Sequence, residues 1–302
     1  MRSVPAGQVT RSSVHRVTGG TQRGLLHTDD GVVIDALYEP GSGAFQEPAI
    51  VIAHGFTGDL ERPHVRRVAG VLGRHAPVIT FSFRGHGASG GRSTVGDREV
   101  LDLAAAVQWA RELGHTRIAT VGFSMGGSVV LRHAALYGDG AGASAGSGAG
   151  GDSRMDADAR TDAVVAVSAP ARWYYRGTAP MRRLHWLVTR PMGRAVGRFG
   201  LRTRIHHRDW DPVPLSPVEA VPLIAPAPLL IVHGDRDGYF PLDHPRSLAE
   251  AAGDAAELWL EPGMGHAEHA SDDALLARIG EWATAALRPV QGDASVPATA
   301  EA

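Results

Sequence analysis

From about residue 48 onward, short apolar runs alternate with stretches of helical periodicity. Pro48-Ala49-Ile50-Val51-Ile52-Ala53, Val78-Ile79-Thr80-Phe81, Ile118-Ala119-Thr120-Val121, Ala163-Val164-Val165-Ala166-Val167, Leu229-Leu230-Ile231-Val232 and Leu258-Trp259-Leu260 form the series. Runs this short, β-rich and continuously apolar predict strands buried on both faces. Between them, Val100, Leu103, Val107 and Ala110 recur at the spacing of one buried helix face, with Asp97 as the expected N-cap. Further helices are predicted near 62–74, 243–252 and 273–287, the last from Leu275, Leu276, Ile279, Trp282 and Ala286. Such alternation predicts an α/β fold with a doubly wound, mostly parallel sheet and right-handed crossovers. Before residue 48, Gly31 to Tyr38 predicts leading strands, antiparallel at the sheet edge.

Two segments break the rhythm. Gly138 to Asp162 is almost entirely Gly, Ala, Ser and Asp, with Met155 its only large apolar side chain. It cannot bury enough surface to offset its ordering entropy and is expected to be a disordered surface insertion. Ala171 to Pro217 is too long for a simple connection and carries Trp173, Tyr174, Tyr175, Trp186, Phe199 and Trp210. It predicts a small helical lid of two short helices, separated near Pro191, inserted before the strand that leads to Asp237. The expected layout is an N-terminal extension over 1–29, a core over 30–170 and 218–288, a lid over 171–217 and a flexible tail over 289–302.

Composition narrows the chemistry. The 302 residues are 43% hydrophobic and 21% charged, with 30 Lys+Arg against 32 Asp+Glu for a formal net charge of −2. That suits a folded globular chain and points to no polyanionic partner. Every fixed side-chain cation is arginine, since lysine is absent, which excludes Schiff-base chemistry and a Lys-dependent phosphate loop. Cysteine is absent too, which removes disulfides, thiolate metal sites and cysteine nucleophiles. Met1 to Gly20 has no apolar signal region, and no stretch approaches a membrane span, so the expected location is cytoplasmic.

Gly122-Phe123-Ser124-Met125-Gly126 directly follows an apolar strand and precedes a helical stretch, Gly127 to Tyr137. This is G-x-S-x-G in the setting its mechanics require. A sharp strand-to-helix turn lifts the serine Oγ to the top of the sheet, beside a helix N-terminus that favours developing negative charge. A serine nucleophile needs a base, and the base needs an orienting group. Two later loops supply candidates: His233-Gly234-Asp235-Arg236-Asp237-Gly238-Tyr239-Phe240-Pro241 and Gly263-Met264-Gly265-His266. Both follow parallel strands at their carboxyl ends, where open α/β sheets place ligands. The order Ser124, Asp237, His266 is that of the α/β hydrolases rather than of chymotrypsin or subtilisin.

The chain resembles a serine hydrolase of the α/β-hydrolase superfamily, on the lid-bearing esterase, lipase and serine aminopeptidase-like branch. The resemblance spans roughly residues 30–288. It rests on His54-Gly55-Phe56, Arg84-Gly85-His86-Gly87-Ala88-Ser89, Gly122 to Gly126, His233-Gly234-x-x-Asp237-x-x-x-Pro241 and Gly265-His266. It implies Ser124 as nucleophile, His266 as general base and Asp237, rather than Asp235, as the acid that orients it. It also implies the backbone amides of Phe56 and Met125 as oxyanion donors, with His54, Gly55, Gly122 and Gly126 supporting the motifs. Ser82 departs from the pattern, since many relatives carry an aspartate two residues before the arginine equivalent to Arg84. Altered bracing of that loop is expected, without loss of chemistry.

Most of the 15 histidines need no special role. His54 is expected to hydrogen-bond behind the oxyanion turn, His86 to pack its loop, and His206-His207 to lie exposed on the lid. His266-x-x-His269 with Glu268 does not predict a metal centre, because Ser124 needs His266 and no spaced partner stands nearby. No cofactor is expected. Between Ala171 and Pro217 stand ten arginines (172, 176, 182, 183, 190, 194, 198, 202, 204 and 208) against Asp209 and Asp211, a local charge of +8. They form either a solvated outer face or a surface for an anionic substrate or an anionic lipid interface. No nucleic-acid module frames them.

The expected function is therefore hydrolysis of a small-molecule acyl ester or thioester, as in a carboxylesterase or monoacylglycerol-lipase-like enzyme. Thioesterase, amidase or peptidase, and acyltransferase activities share the same residues. A ligand-binding protein with a vestigial triad is the alternative from another class.

Overall fold

The computed structural model describes residues 20–42, 47–138 and 157–288. In chain order the elements are β1 (Gln22–His27), β2 (Val33–Glu39), β3 (Pro48–Ala53), α1 (Pro63–Leu72), β4 (Val78–Phe81) and α2 (Glu99–Glu112). There follow β5 (Arg117–Phe123), α3 (Met125–Tyr137), β6 (Ala163–Val167), α4 (Ala179–Thr189), α5 (Pro191–Gly200) and the single turn α6 (Pro217–Ala220). The chain continues through β7 (Leu229–Gly234), α7 (Asp243–Ala252), β8 (Ala256–Glu261), the single turn α8 (Ala267–Ala270) and α9 (Asp273–Ala286).

The strands form one eight-stranded sheet in the order β1-β2-β4-β3-β5-β6-β7-β8. Strands β3 to β8 run parallel, while β1 and β2 add an antiparallel edge through β2 and β4. Alternation along each central strand feeds two apolar layers. In β3, Ala49, Val51 and Ala53 face the layer containing Val107, Val129 and Leu248, whereas Ile50 and Ile52 face Val68, Leu72 and Ile279. Full burial of such side chains contributes roughly 1.5–3 kcal/mol each. A one-residue slip would exchange the two layers, so the pattern fixes the register.

Several sequence expectations change here. The first strand, β1, lies inside the stretch 1–29 set aside as an extension, because it completes the edge hairpin through Gln22↔Tyr38 to His27↔Val33. Strand β8 is half-exposed along its length, since it closes the sheet at the other edge. Asp97 does not cap α2: Arg98 occupies that position, and Asp97 turns to Arg132. The donors of the preceding loop go instead to the Glu99 carboxylate, which accepts from Ser93 Oγ and from the amides of Thr94, Val95 and Gly96 at 2.8–3.1 Å. The expectations of a disordered insertion over 138–162 and a flexible tail over 289–302 fall wholly or mainly on residues outside those described.

The helices of the 171–217 segment divide at Pro191, as the sequence predicts. They pack closely: a Cβ on Gly193 would run into the backbone of Trp186 and Leu187. Their return leg is stitched to the loop after β4 by two isolated bridges, His86↔Thr203 and Ser93↔Ile205. Among the described residues, no helix is long and apolar enough to cross a membrane.

Candidate active site

Ser124 stands between β5 and α3 with φ 53° and ψ −111°. Positive φ in a non-glycine residue costs of order 1–3 kcal/mol and persists only where the surroundings over-determine it. Here the neighbouring glycines permit it. A Cβ on Gly126 would overlap the carbonyl of Ala53 at the end of β3, and one on Gly122 would overlap the carbonyl of Gly126. Neither obstacle is a mobile side chain. Gly126→Ala is therefore expected to destabilise the fold by on the order of 3 kcal/mol or more, read as a fall in the thermal midpoint; an unchanged midpoint would contradict this packing.

Three residues far apart in sequence meet at the carboxyl edge of the sheet. His266 Nε2 lies 2.9 Å from Ser124 Oγ, and His266 Nδ1 lies 2.8 Å from Asp237 Oδ2. The Asp237 side chain is fully buried. Its Oδ1 accepts the amides of Tyr239 and Phe240 at 2.8 and 3.0 Å. Burial alone would raise the Asp237 carboxyl, but the His266 hydrogen bond and charge, together with these amides, hold it below the usual carboxylate range. Asp235 points elsewhere and accepts the Gly263 amide at 2.6 Å.

The Gly55–Phe56 turn and the start of α3 face the same point. Met125 is the first residue of α3, ahead of the first intrahelical bond from Ser128 N to Ser124 O at 3.1 Å, so its amide has no partner in the helix. On the other side, the Gly55 amide donates to Glu268 Oε1 at 3.0 Å and the Thr57 amide to His86 Nε2 at 3.3 Å. The Phe56 amide between them has no acceptor among the described residues. His54 sits behind the turn: Nδ1 donates to Gly55 O at 2.7 Å while Nε2 accepts from Phe83 N at 3.0 Å. Burial, with the neighbouring His86, pushes His54 down to about 3, so it is neutral and structural. Ser82, where altered bracing of the loop is expected, accepts the Leu60 amide at 3.1 Å.

Three supporting residues escaped sequence reasoning. Ser168, at φ 50° just beyond β6, accepts the Ala267 amide on its Oγ at 3.0 Å and so fixes the backbone next to His266. Tyr239 stacks on the His266 ring with centroids 4.2 Å apart and planes at 25°. Glu268, buried two residues after His266, ties that loop to Gly55. Only Tyr239 left a sequence signal, its place within the loop that carries Asp237.

Two cavities open onto Ser124. One, of about 460 Å³, is walled by Val95, Met125, Trp173, Met181, Val188 and Trp210. The other, of about 860 Å³, is walled by Leu184, Trp186, Leu187, Leu201, Tyr239 and His266. Residues of the 171–217 segment line both, including Arg172, Arg176 and Arg208 on the first and Arg183 on the second. His206, expected to be exposed, also lines the first cavity.

Comparison with known proteins agrees with this architecture. An esterase from Pyrococcus furiosus, Pf2001, superposes with a TM-score of 0.65 at 22% identity, covering 89% of this chain and 93% of that one. The α/β hydrolase GrgF from Penicillium sp. sh18 gives 0.64 at 19% identity, covering 88% and 99%. Est1E from Butyrivibrio proteoclasticus gives 0.55 at 18% identity, covering 89% and 99%. At such identities the likeness speaks to the fold. The family pattern of the Alpha/beta hydrolase family matches residues 50–279. With that match covering most of the chain, and an eight-stranded sheet of this topology beneath it, the chain belongs to the Alpha/beta hydrolase family.

Proposed function

We propose that the chain hydrolyses carboxylic esters through an acyl-enzyme on Ser124, as a carboxylesterase or monoacylglycerol-lipase-like enzyme. The observation that carries this reading is the hydrogen-bonded chain Ser124–His266–Asp237, placed where two apolar cavities meet. Asp237 accepts the Nδ1–H of His266 and so leaves the Nε2 lone pair facing the serine hydroxyl. Ser124 Oγ attacks the ester carbonyl as its proton passes to His266 Nε2. The oxyanion is received by the Phe56 and Met125 amides, each donor typically worth roughly 3 kcal/mol in the transition state. His266 returns the proton to the departing alkoxide, then activates water to release the acid. No cofactor enters the sequence.

The 171–217 segment acts as the lid in this reading. Its apolar lining suits an acyl chain in one cavity and a leaving group in the other. A fluorophosphonate probe should label the wild type on Ser124 and spare Ser124→Ala; an unlabelled wild type would refute the assignment. A panel of acyl esters and thioesters of increasing chain length then defines the substrate.

The arginines support a second reading, in which the acyl substrate is anionic, such as a thioester of a phosphorylated carrier. Among the described residues, only Arg172 of the ten forms a carboxylate salt bridge, to Asp243. Unscreened at low ionic strength, where the Debye length exceeds about 10 Å below 0.1 M salt, they should raise kcat/KM for anionic over neutral substrates. Equal salt dependence for both would leave them as plain surface.

A further inference from the structure

His266-x-x-His269 with Glu268 lacks a third spaced ligand in sequence, but the fold supplies one. Helix α1 brings His64 against α8, and one donor atom from each of His64, Glu268 and His269 lies within 4.8 Å of the others. His64 Nε2 is 3.8 Å from Glu268 Oε1. That gap is too wide for a hydrogen bond, whose N···O distance is about 2.7–3.2 Å. It is within reach of two ligands on one ion, since bonds of about 2.0–2.2 Å allow ligand separations up to about 4.3 Å. His64 Nε2 is buried and has no hydrogen-bond partner among the described residues, which leaves a lone pair or a proton without an outlet. Glu268 is itself buried, at 3% exposure.

We propose that His64, Glu268 and His269 bind a divalent transition-metal cation of the zinc class. Two imidazoles and one carboxylate form a borderline donor set, suited to zinc, cobalt or nickel and poorly suited to calcium or magnesium. His269 is exposed, and its ring faces His64 at a centroid distance of 3.9 Å and 36° between planes. Rotation of this one free side chain closes the set, and its open side leaves room for a water ligand. The neighbouring cations are already engaged. Arg67 pairs with Asp273 at 2.7 Å and Arg62 with Asp59 at 3.3 Å. Arg67 also holds α8 through Glu268 O and Ser271 O at 2.9 and 2.7 Å, which fixes the backbone on which two ligands stand. Glu268 and His269 also line the larger cavity that opens onto Ser124, and the Glu268 carboxylate receives the Gly55 amide. A cation there therefore reaches the turn that carries Phe56.

The test is equilibrium titration of the full metal-free chain with Zn²⁺, read by calorimetry and by the shift in thermal midpoint. Wild type, His64→Ala, His269→Ala and His266→Ala are compared, with Ca²⁺ as a second probe. Wild type should bind one Zn²⁺ at micromolar Kd or tighter, with a raised midpoint and no response to Ca²⁺. His269→Ala, an exposed change that leaves the metal-free midpoint intact, should weaken Zn²⁺ binding at least tenfold, as should His64→Ala, while His266→Ala should not. Absence of binding in wild type, unchanged affinity in His269→Ala, or loss confined to His266→Ala would each overturn the site. None of these outcomes depends on ester turnover.

Discussion

Replacing Ser124 with alanine is expected to lower ester turnover by roughly 10⁴- to 10⁶-fold, with little effect on KM. The size of the effect follows from geometry. Ser124 Oγ is the hydroxyl 2.9 Å from His266 Nε2, and without it the imidazole has no nucleophile to activate. Asp237→Asn should approach the same loss, about 10⁴-fold in kcat, because an amide in that position favours the wrong tautomer of His266. Asp235→Asn is the control. Its carboxylate holds only the Gly263 amide, so turnover should change by no more than a few-fold. Steady-state kinetics on one neutral ester decide among them. If Asp235→Asn is the damaging variant, the orienting acid is misassigned.

The second large effect concerns stability in acid. Among the described residues, five histidines whose pKa burial lowers are at most 1% exposed: His54, His86, His133, His233 and His244. Burial pushes His54 and His133 down to about 3 and His86 and His244 down to about 4. The hydrogen bonds agree with neutral rings, since His244 Nδ1 accepts the Ala171 amide at 2.9 Å and His54 Nε2 accepts the Phe83 amide. His133 has no partner at either nitrogen among the described residues and stacks on Tyr137. Their folded values lie below the unfolded value near 6.5. Above that pH neither state binds the proton, and stability is full. As pH falls from about 6.5 toward 4, the unfolded chain takes up protons that the native state excludes, and stability is lost.

Each histidine contributes about 1.4 kcal/mol per pH unit in that window. The Asp102 carboxyl, pushed up to about 7 by burial against the pull of Arg84, works in the opposite sense, as do the raised carboxyls of Asp97 and Glu112, but the buried histidines outnumber them. The net loss is on the order of a few kcal/mol per pH unit, enough to consume a native stability of about 5–15 kcal/mol within a few units. Acid titration followed by tryptophan fluorescence should show cooperative unfolding between about pH 5.5 and 4, and His133→Leu should move the midpoint to lower pH. A native signal unchanged down to pH 4 would contradict the account.

Much of this was readable from the chain. Doubly apolar runs such as Ala163–Val167 became central strands because only a sheet covered on both faces can bury them. Ser124, Asp237 and His266 were legible because a strand-turn-helix transition and two strand-end loops constrain where such residues can stand. Asp97 misled because a capping residue was judged on local preference, whereas a long-range partner, Arg132, was available to it. Ser168, Glu268 and His64 were illegible for a related reason. Their significance lies in what they touch, 99, 213 and 204 residues away respectively, and no local pattern encodes that.

The stitching of the 171–217 segment governs how it can move. Thr203 and Ile205 are bridged to His86 and Ser93, and Arg204 N donates to Gly85 O at 2.8 Å. At the other end, Thr178 is tied to Tyr239 O at 2.9 Å. A span anchored at both ends cannot peel back like a flap. With α4 and α5 packed backbone to backbone at Gly193, the pair forms one stiff block slung between those anchors. Any displacement of that block is expected to reshape both cavities at once, since residues of the segment line each of them.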